Sequence, residues 1–171
     1  MKIVLVGYMA SGKSTIGKEL SEIVGIPFYD LDEIIAEKEN ATINFIFETK
    51  GEIYFRKVEH QLLQEFHQQK DSYILALGGG TPCYANNHLL LQDETVHSFY
   101  LRGSIATLVA RLQKEKALRP LVANIPNEEL PEFIAKHLFD RNYYYQQAKH
   151  IIAIDAKSVQ EIVSEIRTQL A

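Results

Sequence analysis

Lys2-Ile3-Val4-Leu5-Val6-Gly7-Tyr8-Met9-Ala10-Ser11-Gly12-Lys13-Ser14-Thr15 is the stretch on which the fold turns. Four apolar residues, three of them β-branched, end at Gly7, and Gly7 to Ser14 satisfies the pattern G-x-x-x-x-G-K-S/T in full. A buried strand is followed by a glycine-rich turn and then by helical spacing from Lys13 to Val24. Glycines let consecutive N–H groups point inward, and the helix behind them adds the positive end of its dipole, so the segment is an anion cradle. The expected ligand is ATP, along Ala10, Ser11, Gly12, Lys13, Ser14 and Thr15. Lys13 would reach the β- and γ-phosphates, Ser14 would ligate a bridging Mg2+, and Thr15 would meet the α-phosphate. The plain alternative is a structural turn beside a surface lysine.

Outward from this segment, short apolar runs recur at Ile26–Tyr29, Tyr73–Leu77, His97–Leu101 and His150–Ile154, each bounded by Gly, Pro or Asp. Between them lie helical patterns at Asp32–Glu39, Ile43–Thr49, Glu52–Gln68, Asn86–Gln92, Ser104–Lys116, Pro131–Gln147 and Ser158–Leu170. Near-continuous apolar strands joined by helical crossovers predict a parallel sheet covered on both faces. The expected fold class is α/β, a three-layer α/β/α sandwich on a five-stranded parallel sheet, like P-loop NTPases and nucleoside monophosphate kinases, in one domain over residues 1–171. Ligands of such sheets collect beyond the carboxyl ends of the strands, so the loops after Val6, Tyr29 and Leu77 should converge. Leu118–Asn127, with Pro120 and Pro126, interrupts two helical patterns and predicts a loop at the heart of a mobile lid over about 113–129.

Composition narrows the classes of partner. The 171 residues are 46% hydrophobic and 23% charged with a net charge of −4, a soluble balance that argues against nucleic-acid or anionic-membrane binding. The opening apolar run is shorter than the ~7–15 residues of a signal sequence, and no stretch approaches the ~20 apolar residues of a membrane span. Cys83 is the single cysteine and reads as a bystander thiol, which fits a reducing cytoplasm. The six histidines have no metal-ligand spacing. The expectation is a cytoplasmic monomer whose partners are small molecules.

The remaining chemistry clusters in four places. Ile74-Leu75-Ala76-Leu77 runs into Gly78-Gly79-Gly80 without the acid that often serves the metal at such a strand end. Asp30 is therefore the candidate metal-side carboxylate, directly or through water, with helix capping as its alternative role. Asp32 is the candidate to accept hydrogen bonds from an acceptor hydroxyl and take its proton. Arg56, beside Phe55, and Arg141, before three tyrosines, can grip an anion in a planar fork or serve as ordinary ion-pair residues. The triple glycine suggests close approach of backbone to a ligand, or a tight turn. Arg119 is a candidate lid arginine for charge on a transferred group.

The order of these features along the chain resembles the shikimate kinase family. The resemblance runs through the phosphate loop, Asp30-Leu31-Asp32, Gly51-Glu52, Phe55-Arg56-Lys57-Val58-Glu59, Gly78-Gly79-Gly80, Leu118-Arg119-Pro120-Leu121, and Arg141 four residues before Tyr145. It implies that Asp32, Arg56, Gly78, Gly79, Gly80 and Arg141 bind shikimate between apolar walls at Phe47 and Phe55. It also implies that Arg111 lies by the adenine and that Arg119 meets ATP from the lid. The implied reaction is ATP + shikimate → ADP + 3-phosphoshikimate, on the chorismate route to aromatic amino acids, with Lys13, Asp32 and Arg119 catalytic. Ala10 stands where the family often has glycine, and the late basic residue that contacts adenine has no clear equivalent, Lys157 being nearby but unassigned. Gluconate or nucleoside monophosphate kinases are rivals among enzymes, and a non-catalytic nucleotide-binding module is the rival from another class.

Overall fold

Side chains alternate across a strand, and in the first strand both sets are apolar. β1 (Lys2–Val6) sends Ile3 and Leu5 to one face and Val4 and Val6 to the other, all almost fully buried. The computed structural model describes residues 1–171, the Pro120 side chain excepted. β1 is flanked by β3 (Tyr73–Ala76) and β4 (Val96–Arg102), with β2 (Phe28–Asp30) and β5 (His150–Ala153) outside them, in the order β2-β3-β1-β4-β5. Every pairing is parallel, Leu5 facing Ala76 on one side and Phe99 on the other. All five carboxyl ends therefore lie along one edge.

The two faces carry separate cores. Ile3, Leu5, Ile74, Phe99, Leu101 and Ile152 meet Ile16 and Leu20 of α1 (Lys13–Val24) and Ile162, Val163 and Ile166 of α7 (Val159–Leu170). Val4, Val6, Leu75 and Tyr100 meet α2 (Leu31–Glu39), α3 (Ile43–Gln69), α4 (Ile105–Glu115) and α6 (Leu130–Tyr145) through Leu31, Ile35, Leu63, Leu108, Leu112 and Ile134. This is the three-layer α/β/α sandwich with a five-stranded parallel sheet. Among the described residues no helix is long and apolar enough to cross a membrane.

Helix starts differ in how they are capped. Asp30, Thr42, Ser104 and Ser158 cap α2, α3, α4 and α7 with side-chain oxygens, and Ser158 and Glu161 form a reciprocal capping box. α1 follows Gly12 at φ 94 and has no side-chain cap. Its first N–H groups stay open to an anion.

Three expectations need correction. Asn86–Gln92 is not an α-helix: a 3-10 segment runs over Asn87–Gln92, because Ala85 and Asn86 both have positive φ and leave room for only six residues before Asp93 turns away. Leu118–Asn127 is not a plain loop, since it holds a helical turn, α5 (Pro120–Ala123), anchored by fully buried Val122 between 3-10 turns at Lys116–Leu118 and Asn127–Glu129. The second strand is displaced from Ile26–Tyr29 to Phe28–Asp30, and only the Pro27 carbonyl joins the ladder before it. The expected helices at Ile43–Thr49 and Glu52–Gln68 stand, run together as α3 with the break between them at Gly51, φ 84.

α1 lies so close to β2 that a Cβ on Gly17 would sit 2.2 Å from Phe28 Cε2. Gly17→Ala should destabilise the protein by the ~1–3 kcal/mol typical of overpacking, despite a helix-propensity gain of up to ~1 kcal/mol. Urea unfolding measures this. Combined with Phe28→Leu the loss should be less than additive, and full additivity would remove the contact as its cause.

Candidate active site

In the phosphate loop Ala10 takes φ 65, a left-handed conformation costing a non-glycine residue roughly 1–2 kcal/mol. Within the loop Lys13 folds back: Nζ donates to the carbonyls of Gly7 at 2.7 Å and Tyr8 at 3.1 Å. Burial pulls the Lys13 pKa down from 10.5 to about 8, while Asp32 and Asp30 push it up. Such an ammonium is short of counter-charge and suited to an arriving phosphate.

Asp30 takes the capping role and still turns one oxygen to the phosphate loop. Its Oδ1 accepts the N–H groups of Asp32 at 2.9 Å and Glu33 at 3.4 Å, capping α2, while its Oδ2 accepts from Ser14 Oγ at 3.1 Å. The cap fixes the carboxylate so that one oxygen faces the phosphate cradle. A hydroxyl and a carboxylate oxygen side by side fit Mg2+, which uses one or two carboxylates and fills its shell with phosphates and water. Among the described residues no three His, Cys, Asp or Glu side chains form a metal cage of their own.

Beside the phosphate loop, each residue of the triple glycine is crowded by one charged side chain. A Cβ on Gly78 would lie 3.1 Å from Asp32 Oδ1, one on Gly79 3.1 Å from Arg141 Nη1, and one on Gly80 2.7 Å from Arg56 Nη2. Arg56 is aimed by Glu59, whose fully buried carboxylate accepts from Arg56 Nη1 at 2.9 Å and Thr81 Oγ1 at 2.8 Å. The Arg56 guanidinium also lies 4.0 Å from the Tyr84 ring centroid and 5.2 Å from that of Phe55, which packs on Phe47 at 4.5 Å. The Tyr145 hydroxyl donates to the Gly79 carbonyl at 2.5 Å, tying the helix of Arg141 to the glycine strip. Asp32 is pushed up from 3.8 to about 6, first by burial and then by the charges of Asp30 and Glu59, with Lys13 and Arg56 opposing.

A cavity of about 500 Å³ joins Lys13, Ser14, Asp30, Asp32, Gly78, Gly79, Arg111 and Arg119. Arg111 Nη1 donates to the Ala10 carbonyl at 3.1 Å, and Arg119 Nε to Glu115 Oε2 at 2.9 Å. Thr15, Lys157, Val159 and Ile162 also line the cavity, which places the unassigned Lys157 on its wall. Arg56, Arg141, Gly80, Phe47 and Phe55 do not line this space. Arg56 opens instead on a second depression with Glu52, Ile53, Lys57, His60, Tyr84 and Ala85. Asp32, Gly78 and Gly79 line the first space, and Arg56 of the second lies against Gly80, the next residue of the strip.

Sequence reading missed Glu59, Glu115 and Tyr145 as supports. Each stands at helical spacing from an arginine: Glu59 three after Arg56, Glu115 four before Arg119, and Tyr145 four after Arg141. That spacing was the available signal. Lys157 had none.

Comparison with known proteins agrees along the chain. The sequence pattern of the family described as shikimate kinase matches residues 9–171. A shikimate kinase of Flavobacterium psychrophilum is 59% identical over 165 residues, covering 96% of each chain. The solved shikimate kinase of Bacteroides thetaiotaomicron superposes with a TM-score of 0.91 at 30% identity, over 99% of this chain and 98% of that one. That of Acinetobacter baumannii, in complex with shikimate, gives 0.86 at 30% identity, over 99% and 92%. With its motifs, fold and relatives in agreement, the chain belongs to the shikimate kinase family.

Proposed function

We propose that residues 1–171 form one cytoplasmic, monomeric kinase domain that transfers the γ-phosphoryl group of ATP to the 3-hydroxyl of shikimate. The protein is an ATP-dependent shikimate kinase; the roles of its residues are our reading of the cleft. The observation that carries it is the glycine strip, which holds Asp32, Arg141 and Arg56 in succession beside the phosphate loop. One chain supplies every wall of the cleft, and the lone thiol suits a reducing compartment.

ATP lies along the loop with its phosphates on the open N-terminus of α1 and Lys13, its adenine towards Arg111 and Lys157. Mg2+, held by Ser14 and Asp30, would neutralise charge on the β- and γ-phosphates. Arg56 and Arg141 clamp the shikimate carboxylate over the glycines, with Phe47 and Phe55 against the ring. Asp32 then accepts the proton of the 3-hydroxyl as that oxygen bonds to the γ-phosphorus and the bond to the ADP oxygen breaks. Such transfer needs positioning and charge neutralisation above all. Lid closure over 113–129 would take Arg119 from Glu115 to the moving phosphoryl group. An intact Asp32 and Arg119 favour catalysis over mere nucleotide binding.

In a coupled ADP-release assay shikimate is the expected acceptor against gluconate and nucleoside monophosphates. Arg56→Ala or Arg141→Ala should raise its KM on the order of ten- to a hundredfold, since each removes charge-assisted hydrogen bonds worth ~1.5–3 kcal/mol. ATP binding measured without shikimate should barely change. Turnover of another acceptor alone, or loss of ATP affinity in these variants, would reject the assignment.

Asp32 generates a pH prediction. Acting as base it must be ionised, so kcat/KM should rise about tenfold per pH unit up to about 6 and then level. Asp32→Asn should lower kcat by ~10²–10⁴-fold with ATP binding retained. Because the folded pKa lies above the ordinary 3.8, ionised Asp32 costs stability as pH rises from about 4 to about 6. Asp32→Asn should therefore melt higher than the parent at pH 7 and not at about pH 3.5. Near-normal turnover, or an acid limb unchanged in the variant, would take Asp32 out of the chemistry.

A further inference from the structure

Position 8 is a free position of the phosphate-loop pattern, and nothing in phosphate binding asks for a phenol there. Tyr8 is nonetheless 1% exposed and in contact with both substrate sides. Its carbonyl accepts from Lys13 Nζ at 3.1 Å, its hydroxyl meets His137 Nδ1 on α6 at 2.8 Å, and its ring lies 5.8 Å from the guanidinium carbon of Arg141. His137 and Arg141 are four residues apart on α6, hence on one helix face. That face is held twice by a single side chain, at the hydroxyl and at the ring. The His137 ring is also wedged between Tyr8, at 5.8 Å, and Phe133, at 4.7 Å between centroids.

We propose that Tyr8 and His137 are a positioning pair that fixes the rotation of α6 against the phosphate loop, and so aims Arg141 at the acceptor carboxylate. This rests on the reading of Arg141 given above. Burial pushes the Tyr8 phenol up to about 12, so it keeps its proton and donates. Burial, with the charge of Arg141, pulls His137 below its ordinary value and keeps the ring neutral; in the proposed pair the proton sits on Nε2 and Nδ1 accepts from the phenol. A planar guanidinium fork rewards such aim, because a small rotation of the helix trades two aligned hydrogen bonds for one. The pair also ties the loop that receives ATP to the helix that receives the acceptor, so the two sites share one rigid frame.

The test uses the full chain and four substitutions: Tyr8→Phe, which keeps the ring beneath Arg141, His137→Leu, His137→Asn, and Arg141→Ala as reference. Tyr8→Phe and His137→Leu should each raise the shikimate KM about three- to tenfold, the size of one net hydrogen bond. ADP affinity should hold within about twofold. The double variant should be no worse than the worse single one. His137→Asn, whose side-chain oxygen can accept near the Nδ1 position, should recover most of the loss. A fall in melting temperature with the shikimate KM unchanged in Tyr8→Phe, while Arg141→Ala raises it, would reduce the pair to a structural tie and overturn the proposal. An equal loss of ADP affinity would overturn it as well. If Arg141→Ala itself left the shikimate KM unchanged, the acceptor reading beneath the proposal would fail.

Discussion

Gly78, Gly79 and Gly80 are approached so closely by Asp32, Arg141 and Arg56 that a Cβ on any of them would lie 2.7–3.1 Å from a charged atom. This contact sets the geometry of the proposed acceptor side. Backbone without side chains lets three charged groups from three helices converge on the end of β3, and the parallel sheet places that end beside the phosphate loop at the end of β1. The supports follow from the same need. Glu59 and Thr81 hold Arg56, Tyr145 ties α6 to the strip, and Asp30 holds the start of α2 from which Asp32 projects.

Charge is arranged to be incomplete until ligands arrive. Lys13 loses affinity for its proton because burial outweighs Asp30 and Asp32, and Asp32 gains affinity because burial and its acidic neighbours outweigh Lys13 and Arg56. The uncapped start of α1 leaves donors unmatched at the same place. Each imbalance has the sign that an incoming phosphate or a departing hydroxyl proton would relieve, the usual pattern at catalytic sites. Two arginines here already have a carboxylate partner, Arg119 in Glu115 and Arg56 in Glu59.

The layers and the phosphate loop were legible in the sequence because both are written locally: β-branched runs for buried strands, and a fixed glycine and lysine spacing for the loop. Gly51 likewise marked the break in α3. Where tertiary contact decides, local signals failed. Buried Val122 turns the expected 118–127 loop into helical pieces, and positive φ at Ala85 and Asn86 compresses the expected helix after them to a 3-10 segment. At the site, residue types were readable but roles were not. Asp30 was weighed as cap or metal ligand; one of its oxygens caps α2 and the other accepts from Ser14. The distribution of Arg56 and Arg141 around the glycines, outside the ATP cavity, depends on which side of the sheet end each helix approaches, which no local pattern encodes.

The account stands on the glycine strip as the mould for the acceptor site, and Gly80 is its most confined member. Gly80→Ala, with shikimate and ADP affinities titrated separately by calorimetry, tests this directly. The added methyl must displace the Arg56 guanidinium, so shikimate affinity should fall on the order of tenfold or more while ADP affinity stays within about twofold, the loss matching about 1.4 kcal/mol per tenfold. Unchanged shikimate affinity, or a loss of ADP binding as large as that of shikimate, would contradict it.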